Sequence, residues 1–114
     1  MARRYLLRNF GDLREKYGIN ILFVFGPLHR ASYNRPSIIN GARSLKAEKE
    51  RDCLKDLLAE FSLPFCDTTD SFIENYKLSG KRFDFLYDGH ANKHAHKVLG
   101  IAIANDLLQK GWVR

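Results

Sequence analysis

The sequence predicts an α/β unit with parallel strands and right-handed crossovers. Three observations carry this: helix-like and strand-like segments alternate, the strongest strand signal is apolar on both faces, and no internal repeat or low-complexity stretch suggests another architecture. With 114 residues, 45% hydrophobic and 28% charged, the chain suits a single unit over 1–114 with one core rather than two.

Taken in order, Leu6, Phe10, Leu13 and Tyr17 are spaced four, three and four apart, which predicts one apolar stripe of a helix ending at Gly18, with Gly11 weakening its middle. Ile19 to Phe25 is nearly continuous in apolar and β-favouring residues and is closed by Gly26-Pro27, as expected of a central parallel strand buried on both faces. Leu28 to Asn40 lacks periodicity and reads as a loop leaving the carboxyl end of that strand. His29, Arg30 and Tyr33 fall there, at the edge where open α/β sheets place their sites, and are candidates to line a substrate cleft; an ordinary polar loop is the competing reading.

A second helix is expected from about Ala42 to Phe61, with Leu54, Leu57, Leu58 and Phe61 as its apolar stripe and a solvated first half. Pro64-Phe65-Cys66 reads as a short strand. Ser71 and Glu74 fit a capping box opening a short helix that ends near Gly80, so Ser71 is a cap rather than a nucleophile. Lys81 to Tyr87 alternates weakly, with Phe83 and Phe85 on one side, as an extended loop or short edge strand. The last helix is expected to begin near Asn92, a good N-cap, and to run towards Gly111, apolar nearly all round over its first half and deeply packed. Two parallel strands cannot make a stable sheet, so further strands are expected upstream in a longer chain or from a partner.

The net charge of +6 raises the question of an anionic partner, yet its distribution argues against nucleic acid. Lys46, Lys49 and Arg51 interleave with Glu48, Glu50 and Asp52, as on a solvated face, and no run alternates aromatic with basic residues to stack bases. No apolar run is long enough to cross a bilayer and the first residues lack the pattern of a signal peptide, so the expectation is a soluble chain, cytoplasmic by default, with no membrane partner. Cys53 and Cys66 lack metal-knuckle spacing and read as two buried thiols, with a disulfide left open.

The chemistry-bearing segment is Tyr87-Asp88-Gly89-His90-Ala91-Asn92-Lys93-His94-Ala95-His96, which holds three of the four histidines. Asp88 and His90, in a loop that Gly89 lets turn sharply, suit the carboxylate and general base of a nucleophilic hydrolase. A metal site from Asp88, His90, His94 and His96 competes, but His90 precedes the helix while His94 and His96 lie about 200° apart around it. The third reading is a capped helix start with surface histidines, and it is preferred for His94.

Asp88-Gly89-His90-Ala91-Asn92, followed by Ala95-His96 and the apolar helix Val98 to Leu108, resembles the last conserved block of the SGNH hydrolases, the GDSL-like lipase and esterase superfamily. Many members read Asp-Gly-His-Pro-Asn and then Gly-His before an apolar helix. The element order agrees over most of the chain, including Phe25-Gly26-Pro27 after the apolar strand and Asp67 after the short one; only the terminal block is specific. Ala91 and Ala95 depart from the common Pro and Gly, which alters loop stiffness and helix contact rather than chemistry.

The resemblance implies a partial three-layer α/β/α fold (flavodoxin-like, SGNH-type) with the first half of the fold missing. It implies Asp88 as triad carboxylate, His90 as general base, Asn92 as helix cap and His96 as a structural histidine. No cofactor is implied, and the substrate would be a small-molecule or carbohydrate acyl ester, such as an O-acetyl group. The family's nucleophile lies in a Gly-Asp-Ser motif after the first strand. Here Gly11-Asp12-Leu13 has leucine in its place and lies in a helical pattern, and no other serine has that context. A base without nucleophile or oxyanion hole supplies little rate enhancement, so the chain alone is expected to be inactive. The alternative is a non-enzymatic interaction module that pairs its open sheet edge with a partner; a metal-binding domain ranks third.

Overall fold

The computed structural model describes residues 2–27, 42–85 and 88–113; the side chains at 42–45, 88 and 89 lie outside that description. Mixed α/β architecture is observed: α1 (Ala2–Tyr17), β1 (Phe23–Phe25), α2 (Ala42–Glu60), β2 (Phe65–Asp67), α3 (Thr69–Ser79), β3 (Asp84–Phe85), β4 (Asp88–Ala91) and α4 (Lys93–Gln109). The strands form two separate pairs, β1 with β2 in parallel and β3 with β4 antiparallel.

The first unit grows from α1 and α2 packing on one face of the parallel pair. Gly18 stops α1 with φ +63°, its amide donating to the Arg14 carbonyl at 2.9 Å, a backbone conformation that a side chain would strain. The end of α2 is closed by Leu63 N–H on the Leu58 carbonyl at 2.8 Å with Ser62 in the left-handed region, the six-to-one bond of a Schellman motif. That turn delivers the chain into β2, which meets β1 with Phe23 beside Phe65 and Phe25 beside Asp67. Phe23, Phe25 and Phe65 pack with Phe10, Leu54, Leu57 and Phe61 around the buried Leu7, Leu58 and Leu63. Edge-to-face rings, Phe10 on Phe23 at 5.5 Å and Phe25 on Phe65 at 5.8 Å, fill the layer.

A second cluster lies between α3, the β3–β4 hairpin and α4, with Phe72, Phe83, Ala95 and Val98 buried and Tyr76 and Leu99 against them. Two clusters thus replace the single expected core. They are joined at Thr68, which is fully buried between β2 and α3 and donates both its backbone N–H (3.1 Å) and its Oγ1 (2.8 Å) to the Phe25 carbonyl. On the side of β2 opposite Phe65, Cys66 is buried, with Asp106 of α4 and Lys110, the residue that caps it, near enough to act on its thiol.

Several expectations are corrected. The strand expected over 19–25 is three residues long, and Val24 remains 40% exposed, because among the described residues no strand or helix covers that side of β1. In α1 the buried face carries Leu7 and Phe10, while Leu6, Leu13 and Tyr17 are exposed; α2 meets the helix one position round from the expected stripe. The last helix is buried on one face only, with Ile101 and Leu108 exposed. The antiparallel hairpin was not expected from the parallel pattern. Cys53 is exposed, and both thiols are free.

Gly100 lies on the exposed side of α4, and a Cβ there would meet nothing within 4 Å. Gly100→Ala is therefore expected to raise stability by about 0.5–1 kcal/mol through helix propensity alone. Gly18→Ala, at positive φ, is expected to lower stability; paired urea denaturation curves check both signs.

Candidate functional site

The residues singled out by sequence lie on β4 and the start of α4. The segment 88–90, expected to be a loop, is part of a strand that pairs Asp84 with Ala91 and Phe85 with Asp88, so the strands fall out of step by two residues at Gly89-His90. Such irregularities re-aim side chains at the edges of sheets. His90 is exposed there. Asp88 enters through its backbone pairing with Phe85, and its side chain lies outside the described residues, as do His29, Arg30 and Tyr33 altogether.

What holds the hairpin is Asn92. Its extended backbone and Oδ1, which accepts from Ala95 N–H at 2.9 Å, make it the N-cap of α4, as the sequence predicts. The same side chain does more: Nδ2 donates to the carbonyls of Arg82 at 2.8 Å and Asp84 at 3.2 Å, and the backbone N–H donates to Phe83 at 2.9 Å. One residue therefore fastens both the strand opposite His90 and the helix that follows it.

Beneath the hairpin, Phe83 packs edge-on against Phe72 at 4.7 Å and lies parallel to the ring of His94 at 5.5 Å. His94 Nε2 is 2.8 Å from Asn75 Oδ1, an arrangement in which Nε2 carries the proton. The structural histidine is therefore His94, not His96. His96 stands two residues further round α4 and is exposed, while the half-buried His94, read as a surface residue, joins α3 to α4. Among the described residues, no three histidine, cysteine or carboxylate side chains converge as metal ligands do.

A second polar constellation, missed by sequence, sits at the carboxyl end of β2. Asp67 accepts from Arg51 at 3.1 Å and from Lys55 at 2.5 Å, and its Oδ1 also takes the Thr69 backbone N–H at 3.0 Å. Both cations also lie over the Phe25 ring, at 5.2 and 5.8 Å. The signal was available: Arg51 and Lys55 are four apart on one helix face, and Asp67 precedes Thr68-Thr69 at a helix start. It also explains why the Ser71 cap fails. The helix begins two residues earlier, at Thr69, with Asp67 holding its first amide, and Ser71 is an exposed helical residue.

The two constellations are distinct. The Asp67 cluster is built from α2, β2 and the start of α3, whereas His90 stands on β4 before the amino end of α4.

Burial would raise the Asp67 carboxyl, but the Lys55 and Thr69 hydrogen bonds overcome it and hold the group below its ordinary 3.8. A depressed carboxylate contributes stability that is present above its unfolded value and lost as pH falls through the folded one. Asp67→Asn is thus expected to be less stable than the parent at neutral pH, with the difference shrinking below pH 3.8 in pH-dependent denaturation. Asn92→Ala is expected to cost about 2–4 kcal/mol, from a lost cap and two lost carbonyl partners. Asn92→Asp, which keeps the cap acceptor but not the Nδ2 donors, is expected to recover only part of that in urea denaturation. Comparison with protein-family models, with curated proteins and with solved structures gave no match to this chain.

Proposed function

We propose that the chain is the C-terminal part of an SGNH/GDSL-type serine hydrolase acting on acyl or acetyl esters, supplying Asp88 and His90 to a Ser-His-Asp triad whose serine lies outside it. The observation that carries this reading is the presentation of His90: an exposed imidazole on an irregular strand, fastened by Asn92 to the start of the last helix. In this role His90 takes the serine proton as the hydroxyl attacks the ester carbonyl, then returns it to the leaving alcohol. Asp88 fixes the imidazole tautomer and steadies the imidazolium; water completes the cycle by releasing the acyl group. In this reading the serine and its oxyanion donors meet His90 at the amino end of α4.

The partial three-layer, flavodoxin-like arrangement belongs to the same proposal. It is supported by α1 and α2 on the phenylalanine side of the parallel pair and by the end of α4 near Cys66 on the other. The reading also accounts for the open outer edge of β1 among the described residues as the place of further strands.

The reading frame upstream of Met1 tests it directly, with a strand followed by Gly-Asp-Ser expected; a frame encoding no such segment overturns it. The isolated chain is expected to cleave an activated acetyl ester no faster than free imidazole. Turnover well above that level, abolished by His90→Ala, contradicts the division of the triad.

One observation favours a second reading as an interaction module: β1 and β2 each leave an outer edge open among the described residues, with Val24 exposed beside one of them. A well-folded monomer that binds no added strand segment removes that reading.

A further inference from the structure

A groove of about 440 Å³ lies between α1 and α2 over β1, within the range of small-molecule sites. Its walls are apolar: Leu6, Leu7 and Phe10 from α1, Phe23 and Phe25 from β1, and Leu54 from α2. Leu6 is 55% exposed although it stands on this wall, so the groove offers apolar surface to whatever enters it.

The charges at the rim differ in one respect. Glu50 faces Lys46 at 4.0 Å one helical turn away, and Arg51 is held by Asp67. Arg3, the remaining rim charge, makes no ion pair among the described residues, and the first turn of α1 contains no acidic side chain to offset it. An apolar slot with one uncompensated cation at its mouth is complementary to a chain-like molecule with an anionic head.

We infer that this groove binds the alkyl chain of a free fatty acid, with the carboxylate at Arg3. The site is separate from the proposed hydrolase centre. His90 does not line the groove, and the ligand needs no ester bond, so the inference stands or falls apart from that reading.

The probe is dodecanoate, added to the full chain below its micelle concentration and followed by calorimetry and by aromatic NMR shifts. Saturable one-to-one binding is expected, with the largest shifts at Phe10, Phe23 and Phe25. Dodecyltrimethylammonium, of equal chain length and opposite charge, is expected to bind at least tenfold more weakly. Arg3→Glu is expected to weaken dodecanoate roughly tenfold by replacing attraction with repulsion. Arg8→Glu, the same charge change on an exposed residue of α1 outside the groove, is expected to have little effect. Unchanged dodecanoate affinity in His90→Ala separates this site from the hydrolase centre. Absence of binding below the micelle concentration, indifference to head-group charge, or equal effects of Arg3→Glu and Arg8→Glu overturns the inference. Shifts centred on Ile101 and Leu108 of α4, or binding to phosphatidylglycerol vesicles without binding of dodecanoate, overturn it equally.

Discussion

The hydrogen bonds of Asn92 are the constraint on which the second half of the fold depends. Its carboxamide has one acceptor and two donor hydrogens, and all are used: the oxygen caps α4 and the nitrogen reaches two carbonyls of the opposing strand segment. A hairpin of two and four residues has little stability of its own. Fastened to a seventeen-residue helix, it acquires the helix's rigidity, and Phe83 is drawn under it into contact with Phe72 and His94. His90 thus stands on a short irregular strand without being on a loose one.

The first half obeys a different constraint. Its parallel pair is held by packing on one face, where three phenylalanines meet α1 and α2, and by the anchoring of Thr68 to the Phe25 carbonyl. Asp67 ties the same corner to α2 through Arg51 and Lys55, whose charged ends meet the carboxylate and also lie over the Phe25 and Phe65 rings. The chain contains two modest apolar clusters instead of one large core, with Thr68 hydrogen-bonded to Phe25 where the first half leads into the second.

Much of this was legible in the sequence where local chemistry decides the outcome. Gly18 and Gly80 end their helices as expected, α2 spans nearly the residues its leucines mark, and Asn92 caps α4. What escaped depends on contacts between distant segments. No local pattern says that Phe83 will shelter His94 rather than His96, or that α2 will approach α1 on the side of Leu7 instead of Leu6. Likewise Ser71-x-x-Glu74 has the form of a capping box, but Asp67 occupies the first free amide and the helix starts before the box can form. The apolar run over 19–25 reads as a fully covered strand because composition registers the capacity for burial, not the presence of neighbours. Around the candidate site only the Asn92 cap was legible; its hold on the Arg82 and Asp84 carbonyls and the Asp67 cluster depend on segments distant in sequence converging.

Cys66 is buried on β2, and burial, reinforced by Asp106, keeps its thiol protonated to higher pH than usual. Since only the thiolate reacts readily and this sulfur is buried, an alkylating reagent reaches it when the packing around β2 opens. Cys53, exposed on α2, reacts without any such event. The chain therefore carries a clock and its reference in one molecule: the lag between the two alkylations measures how often the packing around β2 opens.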